Sequence, residues 1–396
     1  MSSSLLAEAQ ACLSRTITLR RRLHRHPEPG LHLPVTRATV LEELADLPVE
    51  INLHETSSGL AVVLRGAEPG PTILLRGDMD ALPITEASGL DFASENPGYM
   101  HACGHDLHTA MLAGAARLLA AHRNRLKGDV LFMFQPGEEG FFGARFMLEE
   151  GLLKTTGQTP TGAFALHVSN LYPSGEVWFR SGPQMAATDE VSITLKGRGG
   201  HAAFPHLALD PVPAAAQIIM GVETAVTRRI NVFQPGVITF ACLKAGDAHN
   251  VIPDQARLLG TIRAFSDDTR AELHAIIRRV SSHVAAAHEL TARVEFGTGY
   301  PATINHPDFS VFVRSVARQT LGETRVGKPP WPSMGGEDFS FVLNQVPGTM
   351  AYLGACPPGG TPGQVPGNHS NRVIFDEQAM VAGIALYSAV ALAHCR

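Results

Sequence analysis

A chain of 396 residues, 44% hydrophobic and 17% charged, is too long for one ordinary core and far from the composition of disordered proteins, so two or three domains are expected. A formal net charge of −5 leaves no broad positive surface of the kind a nucleic-acid backbone requires. Five scattered cysteines (Cys12, Cys103, Cys242, Cys356, Cys395) make no disulfide framework, which fits a reducing cytoplasm.

The opening "MSSSLLAEAQACLSRT" has no basic region ahead of its apolar residues, so no secretory leader is expected. The basic run "LRRRLHRH" (Leu19–His26) follows a helical pattern and reads as a solvated helix face, with His24, His26, His32 and His54 as surface or packing residues. Four short, near-continuous apolar runs then read as buried strands: Leu60–Arg65, Thr72–Gly77, Asp129–Gln135 and Gly162–Val168. A helix with three- and four-residue apolar spacing, Leu107–His122, separates the second from the third, which makes this an α/β layered domain.

The texture changes after Ala187. Strand Asp189–Lys196, helix Pro211–Arg228, strands Gly236–Ala245 and Gln255–Phe265, helix Asp267–His288 and strand Thr291–Phe296 follow. That β-α-β-β-α-β order is a split ferredoxin-like module, so that residues 187–298 form an inserted domain and residues 1–186 and 299–396 are the two parts of one catalytic domain. From Tyr300 the chain returns to helices and Gly/Pro-rich loops, and the apolar stretch Ala379–Ala393 is too short for a bilayer and reads as a buried helix. No membrane association is expected.

Polar residues gather at the predicted strand ends. Asp78 and Asp80 follow the second strand, Glu138 and Glu139 the third, His167 ends the fourth, and "HACGHD" opens the helix. Open α/β sheets bind ligands at the carboxyl ends of their strands, so these groups should converge. Cys103, His105, Glu139 and His167, with His369 from the late loop "GNHSN", are ligand types that transition metals favour, and five of them suit two ions about 3.5–4 Å apart. Glu138 would then be the general base of a metal-assisted hydrolysis. His101 and His108 read as neighbours of the ligands or structural residues, and a competing reading makes Cys103 a nucleophile activated by His105.

The ordered segments "RGDMDALP", "MHACGHDLHTAMLAGAA", "QPGEEG", "LHV", "GRGGHAAFPHLALDPV", "NVIPD", "GTIR", "GGEDF" and "NHSN" resemble the aminoacylase/carboxypeptidase family of two-metal peptidases, peptidase family M20. Within it they look like the amidohydrolase branch, which takes N-acyl amino acids and includes hippurate hydrolases and plant auxin-conjugate hydrolases. The resemblance spans essentially the whole chain.

It implies a zinc-peptidase-like mixed sheet flanked by helices, with the inserted module as lid and dimerisation domain. It implies two divalent ions per subunit, manganese or zinc first and cobalt or nickel next, held by Cys103, His105, Glu139, His167 and His369. Glu138 is implied as the base and Asp78 as the acid that orients a ligand, with Arg76 where the wider family has a ligand histidine. His201 is implied as the oxyanion donor, and Asn250 and Arg263 as the grip on the substrate's α-carboxylate. Asn371 stands where proline is usual, close to His369. The expected activity is cleavage of hippurate-like or N-acetyl amino acids by a metal-activated water. Alternatives are a dipeptidase, an N-acetyl-diaminopimelate-type deacetylase, or a non-catalytic acyl-amino-acid binder. The expected assembly is a homodimer, with a tetramer as the second choice.

Overall fold

The near-continuous apolar runs become strands buried on both faces. In the computed structural model, which describes residues 2–396 with side chains from Leu5 onward, Leu60–Arg65 is buried at every position but the last. Glu68–Asp78 is buried from Thr72 to its end. These strands belong to an eight-stranded sheet in the order Glu50–Leu53, Leu60–Arg65, Lys127–Gln135, Glu68–Asp78, Gly162–Ser169, Gly348–Gly354, Val177–Trp178, Val326–Gly327. The third to sixth in that order run parallel to one another, so their carboxyl ends share one edge.

Helices Ser2–Arg25, His105–Ala121 and Ala379–His394 pack together, and the last two also lie on the sheet. Small residues let them approach closely: a Cβ on Gly383 would meet Met111 Sδ at 2.1 Å. The last helix is buried almost throughout, and among the described residues no helix is long and apolar enough to cross a membrane. The mixed α/β fold is thus the one the apolar pattern predicts.

Two expectations fail here. Gly348–Gly354 is a central strand where the sequence suggests only helices and loops. Its terminal glycines mask it, because glycine is depleted in strands; at Gly354 a Cβ would meet Pro173 O at 1.9 Å, so the residue type is forced by close backbone approach.

The basic N-terminal run is not simply a solvated face either. Arg20 is 1% exposed, its Nε 2.7 Å from Asp106 Oδ2 and its Nη1 3.2 Å from Glu377 Oε1. His24 is buried too, with Nδ1 2.8 Å from Asp106 Oδ2 and Nε2 3.1 Å from Glu86 Oε1. Only Arg21, Arg22 and Arg25 reach solvent substantially. Periodicity placed the helix but could not reveal acidic partners far away in sequence.

This buried brace ties the first helix to the first turn of His105–Ala121. Burial works against the charge on Asp106, yet Arg20 and then His24 outweigh it and hold the carboxyl far below its usual range. Burial also works against the charge on His24, and Asp106 and Glu86 reverse that to raise its pKa. A raised imidazole stabilises the fold fully below the unfolded value of about 6.5 and loses that contribution as pH climbs through the folded value. The melting temperature of the wild type should therefore fall on going from pH 6 into the alkaline range, and His24→Gln should flatten that slope. Arg20→Met should cost about 3–5 kcal/mol in a denaturant titration, because it strands the Asp106 carboxylate in the core.

The chain divides into two compact units. The first comprises residues up to Gln184, Ile304–Trp331 and Asp338–Arg396; the second comprises Met185–Thr303 and Pro332–Glu337. The second has its own four-stranded antiparallel sheet, ordered Gly236–Ala245, Gln255–Ala264, Ala187–Lys196, Thr291–Gly297, with helices Pro211–Arg229 and Asp267–Ala287 packed on it. Both helices start where a side chain caps a free N–H: Asp210 accepts from Val212 N and Ser266 from Thr269 N. Taken in chain order, this arrangement is the split ferredoxin-like topology.

Candidate metal centre

Asp78 ends its strand fully buried, among cations. Its Oδ1 accepts from His108 Nδ1 at 2.5 Å, and its Oδ2 lies 2.8 Å from Arg76 Nη1. His108 Nε2 accepts the Val168 N–H at 2.8 Å, so the ring proton must sit on Nδ1 and be given to Asp78. Arg76 is itself buried and held by Gln135 Oε1 (2.8 Å from Nε) and Asp338 Oδ1 (3.3 Å from Nη2). An interior guanidinium is tolerable only with such partners.

Gly104 turns the chain from Cys103 into the helix. It caps that helix with φ of +89°, and a Cβ there would meet Val168 Cγ2 at 2.3 Å, so conformation and space both demand glycine. His105 and His108, three residues apart, fall on the same helix face with ring centroids 5.3 Å apart. His105 is fully buried, and neither of its ring nitrogens completes a hydrogen bond, although Asp78 Oδ2 and Asp80 Oδ1 each lie at 3.4 Å.

One carboxylate sets the glutamate pair. Asp80 Oδ1 accepts from Glu138 N at 2.9 Å and Asp80 Oδ2 from Glu139 N at 3.0 Å, which fixes the backbone of both residues. Glu139 Oε1 lies 3.9 Å from His105 Nε2 and 3.1 Å from His369 Nε2. From the neighbouring strand, His167 donates Nδ1–H to Val168 O at 2.8 Å, which leaves Nε2 free of a proton and 3.4 Å from Cys103 Sγ.

The five predicted ligands thus meet at the carboxyl edge of the sheet. Donor atoms of Cys103, His105 and His167 lie within 4.8 Å of one another, as do those of Cys103, Glu139 and His369, and those of His105, Glu138 and Glu139. Cys103 belongs to both of the first two sets. The donor chemistry, one thiol, three imidazoles and a carboxylate, together with a buried imidazole that no protein group satisfies, fits a pair of transition-metal dications.

Electrostatics agree with that fit. Burial, then the charge of Glu139, pushes the Cys103 thiol up, so without a cation it stays protonated. Burial, then His108, pushes His167 well below its ordinary value, which suits a neutral ligand. His369 is raised to about 10 by its hydrogen bonds to Cys103 and Glu139. Against burial, the His369 hydrogen bond and the charge of His105 lower Glu139.

The remaining expected residues lie in the second unit. His201 is exposed on a two-residue strand that pairs with Val251–Ile252, and Ala202 N donates to Asn250 O at 3.1 Å, so those two residues sit together. His201 Nδ1 accepts from Ala203 N at 3.0 Å, which leaves the proton on Nε2. Arg263 lies on the separate four-stranded sheet, half-buried, with Nε donating to Met334 O at 3.1 Å.

One further contribution has no reading in the sequence. Asp80 received no role, yet it clamps both glutamates; the only signal was its two-residue spacing from Asp78. His108 is tied directly to Asp78, whereas His101 turns toward His24, ring centroids 6.2 Å apart, and burial lowers it to about 3.

Residues 74–393 match the model for peptidase family M20/M25/M40. The chain belongs to that family. M20 relatives include an N-acetylcysteine deacetylase of Bacillus subtilis, 38% identical over 342 residues, 86% of this chain and 88% of the relative. An N-acetyldiaminopimelate deacetylase of Exiguobacterium sibiricum is 38% identical over 343 residues, 85% and 90% of the two chains. Among solved structures, the Bacillus subtilis YXEP protein, described as a dinuclear metal binding peptidase from family M20, superposes with a TM-score of 0.83 at 33% identity, covering 97% of this chain and 98% of that one. This M20 chain is an amide-bond hydrolase.

Proposed function

We propose that the protein hydrolyses the amide of N-acyl amino acids, N-acetyl or hippurate-like, at the Cys103–His105–Glu139–His167–His369 centre, with Glu138 as general base. The observation that carries this reading is the junction at Glu138 and Glu139: one carboxylate, Asp80, holds both backbones, and the acidic oxygens of both reach the ligand cluster. Two dications, manganese or zinc first, would polarise the scissile carbonyl and bring the pKa of water to about 7.

The protein's own groups do the rest. Glu138 takes a proton from water as the water oxygen bonds to the acyl carbon, then delivers that proton to the departing amine nitrogen as the C–N bond breaks. Asp78 holds His108 through their hydrogen bond and places its other oxygen 3.4 Å from His105 Nε2. His201, which carries its proton on Nε2, donates to the oxyanion, and Asn250 with Arg263 holds the α-carboxylate. The second unit bears these three residues. The N-acetyl relatives support the acyl-amino-acid class.

A panel of N-acetyl, N-benzoyl and dipeptide substrates, each beside its α-amide, tests this. Acyl amino acids should be cleaved and their α-amides poorly, and Arg263→Ala should raise KM about tenfold or more with kcat less affected. Equal rates on acids and amides would defeat the carboxylate grip, whereas preference for dipeptides or for an acetylated diamino diacid would move the protein to the corresponding alternative.

We also propose a homodimer through the second unit. Its edge strand Gly236–Ala245 has one side unpaired, and Val232 and Phe233 just before it are 79% and 89% exposed. Light scattering should give twice the chain mass, and Phe233→Asp should shift it toward the monomer.

A further inference from the structure

The loop that brings His369 to the cluster is held by a side chain to which the reaction assigns no part. Asn368 donates through Nδ2 to Cys103 O at 3.0 Å and to Val168 O at 3.0 Å, with Cys103 Sγ 3.9 Å away. Two carbonyl partners require the nitrogen, not the oxygen, to face them, and they use both amide hydrogens. Val168 O is the same oxygen that accepts from His167 Nδ1 and so sets the tautomer of that ring. One carboxamide therefore touches the backbone beside two ligands, Cys103 and His167, and is covalently next to a third.

His369 itself has φ of +68°, a conformation that non-glycine residues rarely adopt, and its N–H donates to Ala102 O at 2.8 Å. Such a backbone persists only where its surroundings over-determine it. The loop as a whole has separate anchors: buried Asn170 donates to Pro366 O and Ile374 O, both at 3.0 Å. Loss of the Asn368 contacts should thus free His369 without releasing the loop.

We infer that Asn368 is a positioning residue for the metal centre, registering His369 against Cys103 and His167 through its two carbonyl contacts. Neighbours that orient a ligand typically alter metal affinity by about 10- to 100-fold when removed. The inference rests on the reading of the cluster as a two-ion centre.

The test is a cobalt titration of the metal-stripped protein, followed by mass-spectrometric counting of ions and by the thiolate-to-cobalt absorption in the near ultraviolet. Wild type should take up two ions and show the thiolate band. Asn368→Leu, which keeps a similar branched shape but loses both donors, should bind the weaker ion about 10- to 100-fold less tightly and shift the band, while the ion-free protein still unfolds in one cooperative step. Asn368→Ala should behave alike and serves if the leucine is misaccommodated. An unaltered titration and band in both folded variants would overturn the inference alone. A wild type that binds no cobalt would instead overturn the two-ion reading beneath it.

Discussion

Replacing Glu138 by glutamine should lower turnover about 10³- to 10⁴-fold while the protein still carries two ions per chain. The substitution keeps shape and hydrogen-bonding capacity but removes the carboxylate proposed to shuttle the proton from water to amine. Glu138 is 6% exposed and its backbone is pinned by Asp80, so the glutamine should sit where the glutamate sits. Glu139→Gln makes the contrast: it strikes a ligand oxygen 3.1 Å from His369 Nε2, so metal content as well as rate should fall. Metal analysis beside initial rates separates the two residues. A fully loaded Glu138→Gln enzyme with near-normal turnover would remove the base from this assignment.

Stripping the metals should abolish turnover altogether, and adding back one suitable dication should restore it. The ion-free cluster is built to hold protons where ions belong: the Cys103 thiol is pushed up and His369 is raised to about 10. Both therefore carry protons at neutral pH and must release them on binding. Apparent affinity should rise as pH rises, and calorimetry in two buffers of different ionisation enthalpy should register the released protons. A nucleophilic Cys103 predicts the reverse, since a chelator would leave it competent. Burial adds weight against it, because it raises rather than lowers that thiol.

The strands and the gathering of the candidate ligands were legible for a common reason. Leu60–Arg65 and Gly162–Ser169 are apolar runs long enough to declare burial by themselves, and the reactive residues follow such runs directly in sequence. The choice of Glu139 as ligand and Glu138 as base comes from the resemblance and stands as a proposal. What stayed hidden depends on partners that only folding brings near. Arg20 and His24 look like solvent-facing helix charges until Asp106, more than eighty residues on, and Glu377 arrive. Asp80 shows its use only once the next loop lays two backbone N–H groups against it. Asn368 acts through backbone carbonyls, which carry no side-chain signature at all. The strand Gly348–Gly354 was lost because its glycines report close packing while reading as breaks.

The most direct measurement is anomalous diffraction from crystals of the zinc-loaded protein, recorded above and below the zinc edge. Two peaks about 3.5–4 Å apart are predicted, one against Cys103, His105 and His167 and the other against Cys103, Glu139 and His369. No peak at these side chains, in crystals of protein that turns over substrate, would contradict the account.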